Sequence, residues 1–214
     1  MFPIAPSNML AHKNTTVKSF GYDSETETEY CFNSLGYRAN FEFELNKRPI
    51  YILGNSMSFG LGVDFENTYG ALVSKTLGIP VYNFSWGCYS HTNIEQIMFL
   101  EKLLEIDKPD FIIFQINNLN RSRNHLGDIN FANEEPLILS LYEKFIRQSQ
   151  HILKNQKHMF VYWDDEKHDV VLPKNCIIKN RYCVDSVLKS RYILGPKSHK
   201  LISLKIIEHL KNHE

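Results

Sequence analysis

From Ile50 onward, short runs of consecutive apolar residues alternate with longer stretches in which apolar residues recur every three or four positions. Ile50-Tyr51-Ile52-Leu53 is a β-prone run closed by Gly54, and Pro80 to Phe84, preceded by the break at Gly78, is another. Both predict buried strands. Between them, Glu66 to Leu77 sets Tyr69, Leu72, Val73 and Leu77 at helical spacing, with Asp64 or Asn67 available as the cap. Ile94 to Ile106 repeats the helical pattern and stops before Lys108-Pro109. Phe111-Ile112-Ile113-Phe114 is apolar at every position, which predicts a central strand covered on both faces. A polar stretch, 117–135, predicts a loop. After it come a long amphipathic helix from Pro136 to Asn155, a strand from Met159 to Trp163, a short strand from Cys176 to Ile178, and a helix from Pro196 to about Leu210 with proline at its first position.

Strand and helix alternating along one chain predict a mainly parallel five-stranded sheet with helices on both faces, an α/β fold built from crossover connections. Ligands of such sheets bind beyond the carboxyl ends of the strands. Candidate functional residues are therefore those following Leu53, Phe84, Phe114, Trp163 and Ile178. Residues 1–46 break the pattern. Thr15 to Asn46 is polar, and Glu25, Glu27 and Glu29 alternate with Thr26, Thr28 and Tyr30, as in an edge hairpin or extended cover. The expected organisation is an N-terminal extension, 1–46, on an α/β domain, 47–214.

The chain has 214 residues, 43% of them hydrophobic and 13% aromatic, enough for a full core. Its 24 Lys+Arg balance 24 Asp+Glu. Binding to phosphate backbones or anionic lipid is driven by clustered basic charge, so neither nucleic acid nor a membrane is the expected partner. Cys31, Cys88, Cys176 and Cys183 lack the close pairing of a zinc site or the density of a disulfide scaffold and read as reduced thiols. The first ten residues lack the basic and apolar regions of a secretory leader, and no apolar run approaches the ~18 residues of a membrane helix. A cytoplasmic protein is the expectation.

Just past the strand ends lie Gly54-Asn55-Ser56-Met57-Ser58-Phe59-Gly60, then Asn83-Phe84-Ser85-Trp86-Gly87, then Gln115-Ile116-Asn117-Asn118. With the lead-in Asn33-Ser34-Leu35-Gly36-Tyr37-Arg38, these segments resemble the GDSL or SGNH hydrolase family from about Asn33 to the C-terminus. The resemblance implies a flavodoxin-like three-layer α/β/α sandwich that hydrolyses an ester, or transfers an acyl group, through a serine. It makes Ser56 the nucleophile. The oxyanion donors would be the backbone N–H groups of Ser56 and Gly87 and the side-chain amide of Asn117. The types suit the task, because a serine on a sharp strand-to-helix turn is exposed, glycine admits a close backbone approach, and pre-aimed amides stabilise developing charge. The substrate implied is a small acyl ester, such as an acylated sugar, with no cofactor and no metal.

Two positions depart from the family pattern. Asn55 stands where the family has Asp. The Asp-x-x-His dyad before the last helix is missing, since counting back from Gly195-Pro196-Lys197-Ser198-His199 puts Ser190 and Ile193 in its places. Without a base within about 2.6–3.2 Å a serine hydroxyl is a weak nucleophile. His199 is the first candidate base, oriented by Asp185 or another carboxylate, although a helix N-terminus disfavours the imidazolium the mechanism forms. His91, His125 and His168 are the loop alternatives.

Blander roles stand beside these. Ser56 would serve as a helix cap, Gly87 as a turn, Asn117 and Asn118 as strand closure, His91 as a surface or capping residue, and Cys88 as a buried filler. The run Asp164-Asp165-Glu166-Lys167-His168-Asp169 reads as a solvated loop rather than a cation site. A catalytically degenerate protein that binds a ligand or partner without turnover is the alternative function. A nucleotide-binding domain fits poorly, because the first loop lacks a phosphate cradle.

Overall fold

The computed structural model describes residues 1–19, 27–87, 92–117, 135–162, 172–178, 182–186 and 194–212, the side chains at 8, 19 and 135–138 excepted. The first elements are a helical turn α1 (Ser7–Leu10) and strands β1 (Thr16–Ser19) and β2 (Thr28–Cys31). Then follow β3 (Ile50–Leu53), α2 (Ser56–Phe59), α3 (Tyr69–Leu77), β4 (Val81–Asn83), α4 (Asn93–Ile106) and β5 (Phe111–Ile116). The chain continues through α5 (Glu135–Leu153), β6 (His158–Tyr162), β7 (Cys176–Ile178) and α6 (Pro196–Lys211).

Strands β3 to β7 form one sheet in the order β4-β3-β5-β6-β7, every pair parallel. Side chains alternate across it, as a pleat requires. Ile50, Ile52, Ile113 and Val161 pack with Tyr69 and Val73 of α3 and Ile202 and Ile206 of α6. Tyr51, Leu53, Phe114 and Phe160 pack on the other side with Leu100 of α4 and Tyr142 and Phe145 of α5. Burial on both faces is why β3 and β5 are apolar runs rather than alternating ones. The result is a three-layer α/β/α sandwich.

Caps set the helix boundaries. Helix α3 starts at Thr68, whose side chain accepts from the N–H of Ala71, and not at Asp64 or Asn67. Helix α4 starts with a reciprocal capping box between Thr92 and Glu95. Proline occupies the first turn of α6.

β1 and β2 pair antiparallel in a sheet of their own, apart from the main one. The segment around them is buried in the same core as the sheet: Phe2, Ala5, Met9, Tyr37 and Phe43 pack with Tyr51, Tyr82 and Phe84. Phe2 meets Tyr51 and Tyr82 edge-on, and Phe43 stacks on Tyr82 with ring centroids 4.5 Å apart. Among the described residues no helix is long and apolar enough to cross a membrane. The stretches holding Cys88, His91, Asn118, His125, the 164–169 run, Ser190 and Ile193 lie outside the described residues.

Candidate active site

Beyond Leu53 the chain turns sharply at Gly54 and enters α2. Asn55, in extended conformation, is the cap: its side chain accepts from the N–H of Met57 at 3.0 Å. Ser56 is thus the first helical residue, and the capping role belongs to its neighbour. The Ser56 side chain is half-buried, and among the described residues its hydroxyl has no hydrogen-bond partner. Helix α2 ends at Gly60, which adopts φ 79°, a left-handed conformation suited to glycine.

Arg38 holds that end. It is 2% exposed, and its guanidinium donates to the carbonyls of Phe59, Gly60, Val63 and Glu29 while lying 4.5 Å over the Tyr30 ring. Burial lowers its pKa to about 10, so it stays charged at neutral pH. Four carbonyl acceptors and an aromatic face replace the carboxylate that a buried cation usually requires. The lead-in Asn33–Arg38 is thereby tied to the turn bearing Ser56.

Gly87 reaches the same turn from β4. The N–H of Phe84 donates to Ile52 O, and that of Trp86 to Gly54 O at 3.1 Å, which lays residues 84–87 alongside the first loop. A Cβ on Gly87 would stand 3.1–3.2 Å from the Phe59 ring, so a side chain there would press on α2 by a few tenths of an ångström.

Asn117, at the end of β5, is fully buried inside a chain of amides. Gln115 Oε1 accepts from the Asn55 N–H at 3.2 Å and from the Ser58 hydroxyl at 2.5 Å. Gln115 Nε2 donates to Asn117 Oδ1 at 2.7 Å, and Asn117 Nδ2 donates to Gln96 Oε1 at 2.5 Å. Gln96 Nε2 donates to the Gln115 carbonyl at 2.7 Å. The Tyr69 hydroxyl donates to Ser58 Oγ, and that of Tyr142 to the carbonyl of Asn117. Buried polar groups persist only when paired, and here the partners lie on residues at and just past the carboxyl ends of β3 and β5 and on the helices packed there.

His199 lies elsewhere. It is fully buried in α6 under α3, stacked on Tyr69, with Nδ1 accepting the backbone N–H of Tyr69 at 3.1 Å. An accepting Nδ1 places the proton of the neutral ring on Nε2, which has no hydrogen-bond partner among the described residues. Burial, then the positive charge of Arg38, lowers its pKa to about 3, and Asp185 opposes the shift without cancelling it. No hydrogen bond joins it to Ser56 or Asp185. In this arrangement His199 caps α3 and is no base at neutral pH.

Asp185 is committed too. Its carboxylate accepts from the N–H groups of Lys197 and Ser198 and from the Ser198 hydroxyl, closing the N-terminus of α6. Burial pushes its pKa up, but these hydrogen bonds outweigh burial and hold it below the usual carboxylate range.

Sequence reasoning gave Arg38, Ser58, Tyr69, Gln96 and Gln115 no individual role in the site. The available signal was a glutamine in the otherwise apolar run Phe111–Ile116, since a polar side chain inside a doubly covered strand demands partners.

No family model matches the chain, and no curated protein matches it. Solved structures do. A carbohydrate esterase family 2 enzyme with a carbohydrate-binding domain from Corynascus thermopiles (Myceliophthora fergusii) is 13% identical with a TM-score of 0.51, over 78% of this chain and 67% of that one. A G-D-S-L family protein from Desulfitobacterium hafniense DCB-2 is 14% identical with a TM-score of 0.48, over 75% and 98%. The lipase Lip_vut3 from a goat rumen metagenome is 12% identical with a TM-score of 0.46, over 74% and 95%. At such identities the likeness speaks to the arrangement of the backbone. The chain therefore shares its three-layer α/β/α fold with that carbohydrate esterase.

Proposed function

We propose that the protein is a serine hydrolase or acyltransferase acting on a small acyl ester, an acylated sugar among the candidates, through Ser56. The observation that carries this reading is the half-buried Ser56 hydroxyl, unpartnered among the described residues, past the carboxyl end of an interior strand and on the turn that residues 84–87 run alongside. Ser56 Oγ attacks the acyl carbon and loses its proton to a base. The charge that develops on the carbonyl oxygen falls to the backbone N–H groups of Ser56 and Gly87. Asn117 carries two amide hydrogens, of which Gln96 takes one; the second is the one this reading assigns to the oxyanion. The alcohol departs with the proton, and water or a second alcohol then attacks the acyl-serine with help from the same base.

With His199 spent on α3, the base falls to an imidazole following a strand end: His91, His125 or His168. Hydrolysis of p-nitrophenyl acetate tests the reading, with turnover expected from the wild type and lost by several orders of magnitude in Ser56→Ala. Equal rates in the two proteins would refute it.

A second reading, a protein that binds its ligand without turnover, draws support from the internal engagement of both His199 and Asn117 and from Ser190 and Ile193 at the dyad positions. It expects no Ser56-dependent turnover, and a gain of turnover in the double variant Ser190→Asp, Ile193→His.

A further inference from the structure

We propose that Gln115 is a positioning residue for the reaction. One buried amide fixes the turn that carries Ser56 and the side chain of Asn117 in a single arrangement, in space that Gly54 leaves open. The inference rests on the serine-hydrolase reading and extends it to a residue that never touches substrate.

Gln115 is fully buried, and its side chain is bonded at both ends. Its oxygen receives donors from Asn55 and Ser58, the residues on either side of the Ser56–Met57 pair, so the nucleophile turn is anchored before and after Ser56. Its nitrogen then has one function, to donate to Asn117 Oδ1.

The polarity of this chain is forced by chemistry at both ends. The Asn55 backbone N–H can only donate, so Gln115 must present oxygen to it. The carbonyls of Gln115 and Leu53 can only accept, so Gln96 must present nitrogen to them. Between those ends, Asn117 has one orientation compatible with both neighbours, its oxygen toward Gln115 and its nitrogen toward Gln96. Reversing any one amide sets donor against donor or acceptor against acceptor. The direction of the Asn117 N–H groups is therefore set from both sides, by Gln115 at its oxygen and Gln96 at its nitrogen.

Gly54 completes the device. A Cβ at Gly54 would collide with Gln115 Oε1 and stand 2.5 Å from Ser58 Oγ. Glycine at 54 is thus matched to the amide at 115: shortening 115 relieves that clash and leaves the one with Ser58, whose Cβ would stand 2.8 Å away.

Two sets of variants of the full chain test this. Gln115→Met keeps the volume and removes every bond. It is expected to lower kcat for p-nitrophenyl acetate, and the rate of fluorophosphonate labelling at Ser56, by 10-fold to 100-fold with KM within twofold, at a temperature where the variant remains folded. Gln115→Glu keeps the acceptors and donates to Asn117 only as the neutral acid. Its kcat should fall as the carboxyl ionises, adding a high-pH limb that the wild type lacks. The stability cycle uses Gly54→Ala and Gln115→Ala: Gly54→Ala should lower the urea midpoint more with Gln115 present than with alanine there, the remaining loss being the clash with Ser58.

A labelled wild type with both Gln115 variants at wild-type rate and pH profile would overturn the positioning role while leaving the hydrolase reading intact. Additive effects in the cycle would overturn the matched pair. A folded wild type unlabelled at Ser56 would remove the hydrolase reading, and the positioning role with it.

Discussion

His199 shows how one side chain can carry a motif's position and another task. Its place in the sequence, four residues into the last helix and beyond the missing dyad, made it the nearest candidate base. The fold instead buries the ring and spends Nδ1 on an orphan N–H at the start of α3. A folded-state pKa of about 3 against an ordinary 6.5 means that only the unfolded chain binds a proton there as pH falls. Its contribution to stability is complete above pH 6.5 and is lost progressively from there down to about 3. At about 1.4 kcal/mol per pH unit, urea unfolding should find roughly 2 kcal/mol less stability at pH 5 than at pH 7 from this group. His199→Phe should remove that dependence. Asp185 has the same sign but a lower window, its depressed pKa costing stability only as pH drops through the ordinary carboxylate range, so the window from pH 6.5 to 5 separates the histidine from it. A pH-independent stability across that window would contradict the assignment.

At the scale of elements, strands were legible because burial on two faces leaves no room for polar alternation. The runs at Ile50, Pro80 and Phe111 therefore announced themselves, and with them the strand ends beyond which Ser56, Gly87 and Asn117 lie. Helix starts were less legible where the cap competed with neighbours: Thr68 prevailed over Asp64 and Asn67 because Phe65–Asn67 forms a separate 3-10 turn. The cap of α6 was invisible to local reading, since Asp185 reaches its N-terminus from twelve and thirteen residues upstream. Asp185→Ala should cost about 0.5–2 kcal/mol, the range of a lost N-terminal cap, measured by denaturant unfolding at pH 7. Gly195→Ala should also destabilise, because its Cβ would stand 2.5 Å from the Asp185 carboxylate. No loss in either variant would show that α6 does not depend on this cap. The amide chain through Gln96, Gln115 and Asn117 was likewise hidden, because it depends on strand register and rotamers.

Across the whole molecule, the N-terminal segment shares its aromatic core with the sheet. Phe2 sits among Phe43, Tyr51, Tyr82 and Phe84, and Arg38 clamps the turn that follows Ser56. Polar alternation from Glu25 to Tyr30 pointed to an edge hairpin or an extended cover, but periodicity carries no information on what a short apolar segment such as Phe2 to Met9 packs against. Phe2→Ala should cost about 3–5 kcal/mol, as for a buried phenylalanine elsewhere; an unchanged urea midpoint would mean that the segment is only an appendage.

Function at this scale rests on whether the fold delivers a reactive hydroxyl. The most direct measurement is peptide mapping by mass spectrometry after the full chain is incubated with a fluorophosphonate. An adduct on Ser56, absent from Ser56→Ala and diminished by a competing short-chain acyl ester, is the predicted result. A folded chain that carries no adduct at Ser56 would contradict the account.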